Sequence, residues 1–144
     1  MSREDFYHKH FRNALLTAGW TIETEQFRLP FYDTKVKIDF TASKTQEDGS
    51  RKLVAVEVKN FRETDSYNNQ FQRAVGQYLL YRDLLTHSDF THQLFLAVPA
   101  EVHKGFFSDD AVSRLMKELK FNLVTFDPET ATLVQWIPHN TGNS

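Results

Sequence analysis

An α/β fold with a central mixed β-sheet flanked by helices, in the order αβββαβαββ, is the architecture this 144-residue chain predicts. Three observations carry it. Apolar residues recur at helical spacing near the start, in the middle and before the last two strands, and alternating stretches lie between these segments. The run "HQLFLAVPA" is apolar at nearly every position, as a strand covered on both faces should be. The length suits a single domain with a sizeable core, expected over residues 1–140, with 141–144 as a disordered tail.

The first helix is expected over residues 3–18, where Phe6, His10, Phe11, Ala14, Leu15 and Ala18 recur at helical spacing. Ser2 and Asp5 resemble a capping arrangement, and Gly19 supplies the stop signal. "WTIETEQF" (20–27) reads as a strand and "LPFYDT" as a turn. "KVKIDFTAS" (35–43) alternates, with Val36, Ile38 and Phe40 on one face and Asp39 on the other. The polar "KTQEDGS" joins it as a hairpin to "RKLVAVEVKNF", so these strands pair antiparallel. Residues 65–86 form the longest helix, capped by Asp65 or Ser66. Strand 92–100 follows and looks central. A helix over 108–119 opens with Ser108 and two acids at its positive end, and "FNLVTFD" and "ATLVQWI" close the chain as a hairpin around "DPET".

Composition narrows the functional classes. With no cysteine, disulfides and thiolate metal sites are excluded. No run approaches the ~18 apolar residues of a membrane span, and a cytoplasmic protein is expected. Lysine and arginine total 17 against 19 acids, so any contact with nucleic acid must rest on a local patch.

The chemistry concentrates in "KLVAVEVKNF", where Val54, Val56 and Val58 share one face and Glu57 and Lys59 the other. If the preceding strand is the antiparallel neighbour, Asp39 projects toward Glu57. Two carboxylates and a nearby backbone carbonyl form an oxygen-rich site for Mg²⁺ or Mn²⁺. Lys59 at its edge would orient an attacking water and counter a phosphate's charge. Gln77, on the following helix, would position water or a ligand. A plain ion pair on a wet sheet face is the simpler alternative, contributing about 0.2–1 kcal/mol.

The arrangement of Asp39 with Glu57-Val58-Lys59 is similar to the PD-(D/E)XK nuclease signature, with Ile38 where a proline is expected. The blocks "FRNALLTAGWTI", "KIDFTA", "KLVAVEVKNF", "RAVGQYLLYRDLL", "LFLAVPAEVHKGFF", "LVTFDPE" and "VQWIP", spread over residues 3–138, resemble the XisH family. That resemblance implies a restriction-endonuclease-like fold and a role as an fdxN element excision controlling factor, linked in cyanobacteria to DNA rearrangement during heterocyst differentiation. It implies a XisI-type protein as partner, beside a separate site-specific recombinase. Residue by residue, Asp39 and Glu57 match the metal ligands, Lys59 the catalytic lysine and Gln77 the helix glutamine, with Glu4 or Asp5 as an extra acid. Two functions follow: a metal-dependent phosphodiesterase, or a catalytically silent docking protein for the XisI-type partner or the recombinase.

The remaining polar and aromatic residues read more plainly. His8 and His10 point apart on a helix, and His87, His92 and His103 lack zinc spacing. Arg62, Arg73 and Arg82, interleaved with rings, offer a nucleic-acid surface, against a simpler reading as core aromatics beside surface charges. Trp20 and Trp136 are expected as core or interface anchors, and the apolar edge near Trp136 as a homodimer contact.

Overall fold

The computed structural model describes the backbone of residues 3–139 and the side chains of residues 6–139. The expected Ser2 cap, the side chains of Glu4 and Asp5, and the tail beyond residue 139 lie outside that set. The elements are α1 (Arg3–Thr17), β1 (Thr21–Phe31), β2 (Thr34–Thr45), β3 (Arg51–Val58), α2 (Tyr67–Thr86), β4 (Gln93–Pro99), α3 (Ala100–Lys104), a 3₁₀ turn (Phe106–Ser108), α4 (Asp110–Glu118), β5 (Leu123–Asp127) and β6 (Thr132–Ile137). The six strands form one sheet in chain order, β1 to β6. β3, β4 and β5 run parallel, and antiparallel hairpin strands flank them on both sides.

The sheet separates two cores. On one face α1 lays Phe11 and Leu15 over Phe40, Val54, Val56, Phe95, Val124 and Phe126. On the other, Tyr78, Tyr81 and Leu85 of α2, with Val112 and Met116 of α4, cover Ala55, Leu94, Leu96, Val98 and Leu123. β4 therefore alternates between both cores, which is why its sequence is apolar throughout. Trp20 and Trp136 meet in the α1-side core with ring centroids 5.2 Å apart.

Several expectations are corrected. "LPF" is strand, since Leu29, Pro30 and Phe31 stay paired to β2 and the turn shrinks to Tyr32 and Asp33. Pro30 is tolerated because β1 is an edge strand. Ser108 belongs to the 3₁₀ turn, and Asp109 caps α4 by accepting from the N–H groups of Ala111 and Val112. The segment from β4 to β5 carries α3 and the 3₁₀ turn besides the expected helix. For α2, Ser66 is the cap, accepting from Asn69 N–H.

The alternation of β2 also breaks. Phe40 packs in the α1-side core, whereas Ile38 and Val36 pack against the α2 side. β1 turns over at the same level, because Glu25 reaches α1 while Phe27 joins the α2-side core. The residue between them, Gln26, has a φ of 55°. That left-handed backbone costs a non-glycine residue about 1–3 kcal/mol and twists the hairpin as it passes Asp39.

Candidate functional site: two carboxylates where β2 leaves β3

The β2–β3 ladder runs from Thr45 and Arg51 to Phe40 and Val56, and there its regular pairing ends. Beyond it, side chains take over the exposed backbone donors. Val58 N–H donates to Asp39 Oδ2 at 2.8 Å, and Asp39 N–H donates to Glu57 Oε1 at 3.2 Å. Each acid thus closes the seam from the opposite strand. Lys59, just past β3, is held by its N–H to Ala97 O at 2.9 Å, and its Nζ lies 3.3 Å from Glu57 Oε2. The cluster sits at the carboxyl end of a parallel strand, where open α/β sheets bind ligands.

Both acids are held in an environment that disfavours their charge. Glu57 is only 7 % exposed, and burial followed by the adjacent Asp39 charge pushes its carboxyl up to about 8, against the opposing pull of Lys59. Asp39 is raised as well, chiefly by burial, although the Val58 N–H, His8 and Lys59 favour its anion. The phenol of Tyr81 on α2 is pushed to about 12 by burial and then by the negative charges of Glu57 and Asp39. α2 therefore shields the pair on one side.

α1 approaches from the other. His8 stacks on Phe40 at 4.4 Å, with Nε2 3.3 Å from Glu25 Oε1 and Nδ1 3.7 Å from Asp39 Oδ1. Arg12 holds Glu25 at 3.1 Å. A pocket of about 360 Å³ opens here, lined by Tyr7, His8, Gln26, Asp39, Glu57, Val58, Lys59 and Asn60.

Three of the four expected residues, Asp39, Glu57 and Lys59, thus converge. Gln77 does not line the pocket; it sits on α2 one turn before Tyr81, and its Oε1 is buried with no hydrogen-bond partner among the described residues. His8, Gln26 and Tyr81 were not expected. A usable signal existed for one of them, since His8 and Arg12 are spaced i, i+4 on the helix and reach the same Glu25.

The donor set fits a hard divalent cation. Among the described residues no three acids or histidines form a ready cage. Mg²⁺ needs none, because it is commonly held by one or two carboxylates with water and substrate phosphate completing the shell. Two adjacent carboxylates, both raised by burial and Glu57 raised further by the charge of Asp39, are a site that positive charge would relieve.

The fold and site together define a mixed α/β protein, a six-stranded sheet flanked by helices, with an acid-acid-lysine cluster at the end of a central strand. The family model for "XisH protein" matches residues 1–134, and the chain belongs to the XisH family. Two solved structures are similar over 92 % of this chain, each with a TM-score of 0.82. One, 29 % identical and covered over 98 % of its length, is described as an fdxN element excision controlling factor protein from Anabaena variabilis. The other, 30 % identical and covered over 99 %, is an XisH family protein from Nostoc punctiforme. No match is found among curated proteins.

Proposed function

We propose that this chain is a nuclease-fold factor acting in site-specific DNA element excision, with a PD-(D/E)XK-type site for metal-dependent phosphodiester hydrolysis. The observation that carries the reading is the closure of half-buried Asp39 onto buried Glu57, with Lys59 on Glu57. Asp39 and Glu57 would hold Mg²⁺ or Mn²⁺, which when bound supplies Lewis-acid stabilisation of phosphoryl charge. The chain's own residues do the rest. Lys59, anchored by its backbone to Ala97, presents an ammonium beside the phosphate position and orients an attacking water. The seam bonds fix both carboxylates before any ligand arrives, so little ordering remains to be done on binding. The test is incubation of wild type, Glu57→Gln and Lys59→Ala with supercoiled plasmid and branched DNA in Mg²⁺ or Mn²⁺. Nicking by wild type alone is expected, and equal behaviour of all three removes the enzymatic reading.

A second reading, a silent docking protein for a XisI-type partner or a recombinase, is favoured by one observation. Both acids already serve the sheet by accepting backbone N–H groups, so their presence has a structural reason. Co-purification of the partner with Asp39→Asn and Glu57→Gln variants as efficiently as with wild type supports it, and loss of the complex argues against it.

A further inference from the structure

The β1–β2 hairpin carries a cationic face that the fold does not use. Register places Arg28 directly opposite Lys37, and Pro30 opposite Lys35. Like charges facing across an antiparallel pair destabilise it. Arg28, Lys35 and Lys37 are all exposed, and among the described residues none makes a side-chain hydrogen bond or ion pair. Asp33 lines the same groove at the hairpin tip without pairing with any of them. The opposite face of the hairpin, Phe27, Leu29, Val36 and Ile38, is packed in the core, so the cations cannot turn inward.

Protection of an edge strand against aggregation is the plain use of such charges. It accounts for Arg28 and, because β2 before Phe40 is paired with β1 alone, for the charge of Lys35 and Lys37, but not for their alignment with the carboxylate site. The cations instead lead somewhere. Lys35, Lys37 and Asp39 follow one another at two-residue steps of about 6.5–7 Å, and Gln26, which lines the carboxylate pocket, is two residues from Arg28. At the far end Tyr32 is 94 % exposed and Phe31 42 % exposed. A row of cations that begins at a phosphodiester-type site and ends in bare aromatic rings matches a nucleic-acid backbone followed by a base to stack on.

We propose that this face of the β1–β2 hairpin is the DNA-binding surface, with Arg28, Lys35 and Lys37 contacting successive phosphates and Tyr32 stacking at the tip. The proposal rests on the DNA-directed reading above for its choice of ligand, but it requires neither metal nor cleavage. It is tested by fluorescence anisotropy of a labelled duplex with a single-stranded end in EDTA, with wild type, Arg28→Gln/Lys35→Gln/Lys37→Gln, Tyr32→Ala, and a control carrying Lys104→Gln/Arg114→Gln/Lys117→Gln on the remote helices. The hairpin triple variant is expected to bind at least about tenfold more weakly and to lose about 2 to 3 from the slope of log affinity against log salt. Tyr32→Ala should weaken binding without changing that slope, and the control should bind like wild type. Unchanged affinity and slope in the hairpin variant, an equal loss in the control, or no binding by wild type at low salt each overturns the assignment. Failure of wild type to nick DNA while the hairpin variant still loses binding removes the hydrolytic function and leaves the surface standing.

Discussion

Two buried polar clusters occupy opposite ends of the parallel β3–β4 pair, and they are built on contrary principles. At the amino end of β4, Tyr78 donates its hydroxyl to Leu94 O at 3.0 Å while accepting from Asn122 N–H at 3.0 Å. Asn122 Nδ2 donates to the same carbonyl, and Asn122 Oδ1 accepts from His139 N–H. Every group is neutral and matched, and the stacked Phe121 ring seals the set 3.9 Å from Tyr78. At the carboxyl end of β3 the groups are acids whose charge burial resists, next to a pocket. A satisfied neutral network stabilises, whereas a compressed pair of carboxylates stores proton and cation affinity instead.

The sharpest way to break that contrast is Glu57→Gln. Its amide oxygen can still accept from Asp39 N–H, so thermal stability should hold or rise as the charge conflict disappears. Divalent-dependent nicking should fall at least about a hundredfold, equivalent to about 3 kcal/mol of lost transition-state stabilisation. A large drop in melting temperature would mean that the acids are structural after all. The converse variants, Tyr78→Phe and Asn122→Ala, should each lower unfolding free energy by about 1–3 kcal/mol in urea titrations, by orphaning buried partners. Their Mn²⁺ affinity, read by calorimetry, should match wild type; a weakened site would show that the two clusters communicate.

Protons separate the clusters more finely. With Glu57 pushed to about 8 from its ordinary 4.5, the folded chain keeps a proton that the unfolded chain has released between those values. Its contribution is therefore fully present below about 4.5, declines as pH rises through the window and levels off above about 8. The raised Asp39 acts in the same sense. Denaturation from pH 5 to 9 should show wild type losing stability relative to Glu57→Gln as pH rises, and parallel curves would contradict the assignment. Mn²⁺ affinity should climb over the same range, because the ion competes with that proton. The smallest effect belongs to Arg12→Ala, which releases Glu25 beside His8; a half-exposed pair of this kind is worth about 0.2–1 kcal/mol.

How much of this was legible in the sequence follows from the range of each interaction. Period-2 and period-3.6 patterns reveal where a strand or helix buries its face, and Val54, Val56 and the run from Leu94 to Val98 pack as their spacing implies. Glu57 and Lys59 emerged because alternation alone sets them apart from the valines. Alternation misled at Ile38, because the left-handed Gln26 turns the hairpin over and no local pattern announces it. His8 escaped for a different reason: its approach to Asp39 depends on how a helix docks on a sheet 31 positions later in the chain. Arg82, read more simply as a surface charge than as part of a basic patch, is spent on Leu119 O and Lys120 O, a role visible only once α2 meets the end of α4.

The seam at Asp39 and Glu57 has an evolutionary corollary. Selection for an intact sheet would by itself preserve an oxygen acceptor at both positions, whatever happened to the chemistry. A relative without the two acids would be expected to carry asparagine or glutamine there rather than alanine. Lys59 is tied to the sheet through its backbone N–H, and its side chain serves as the counter-charge of Glu57, so a relative with glutamine at position 57 would leave position 59 free to change.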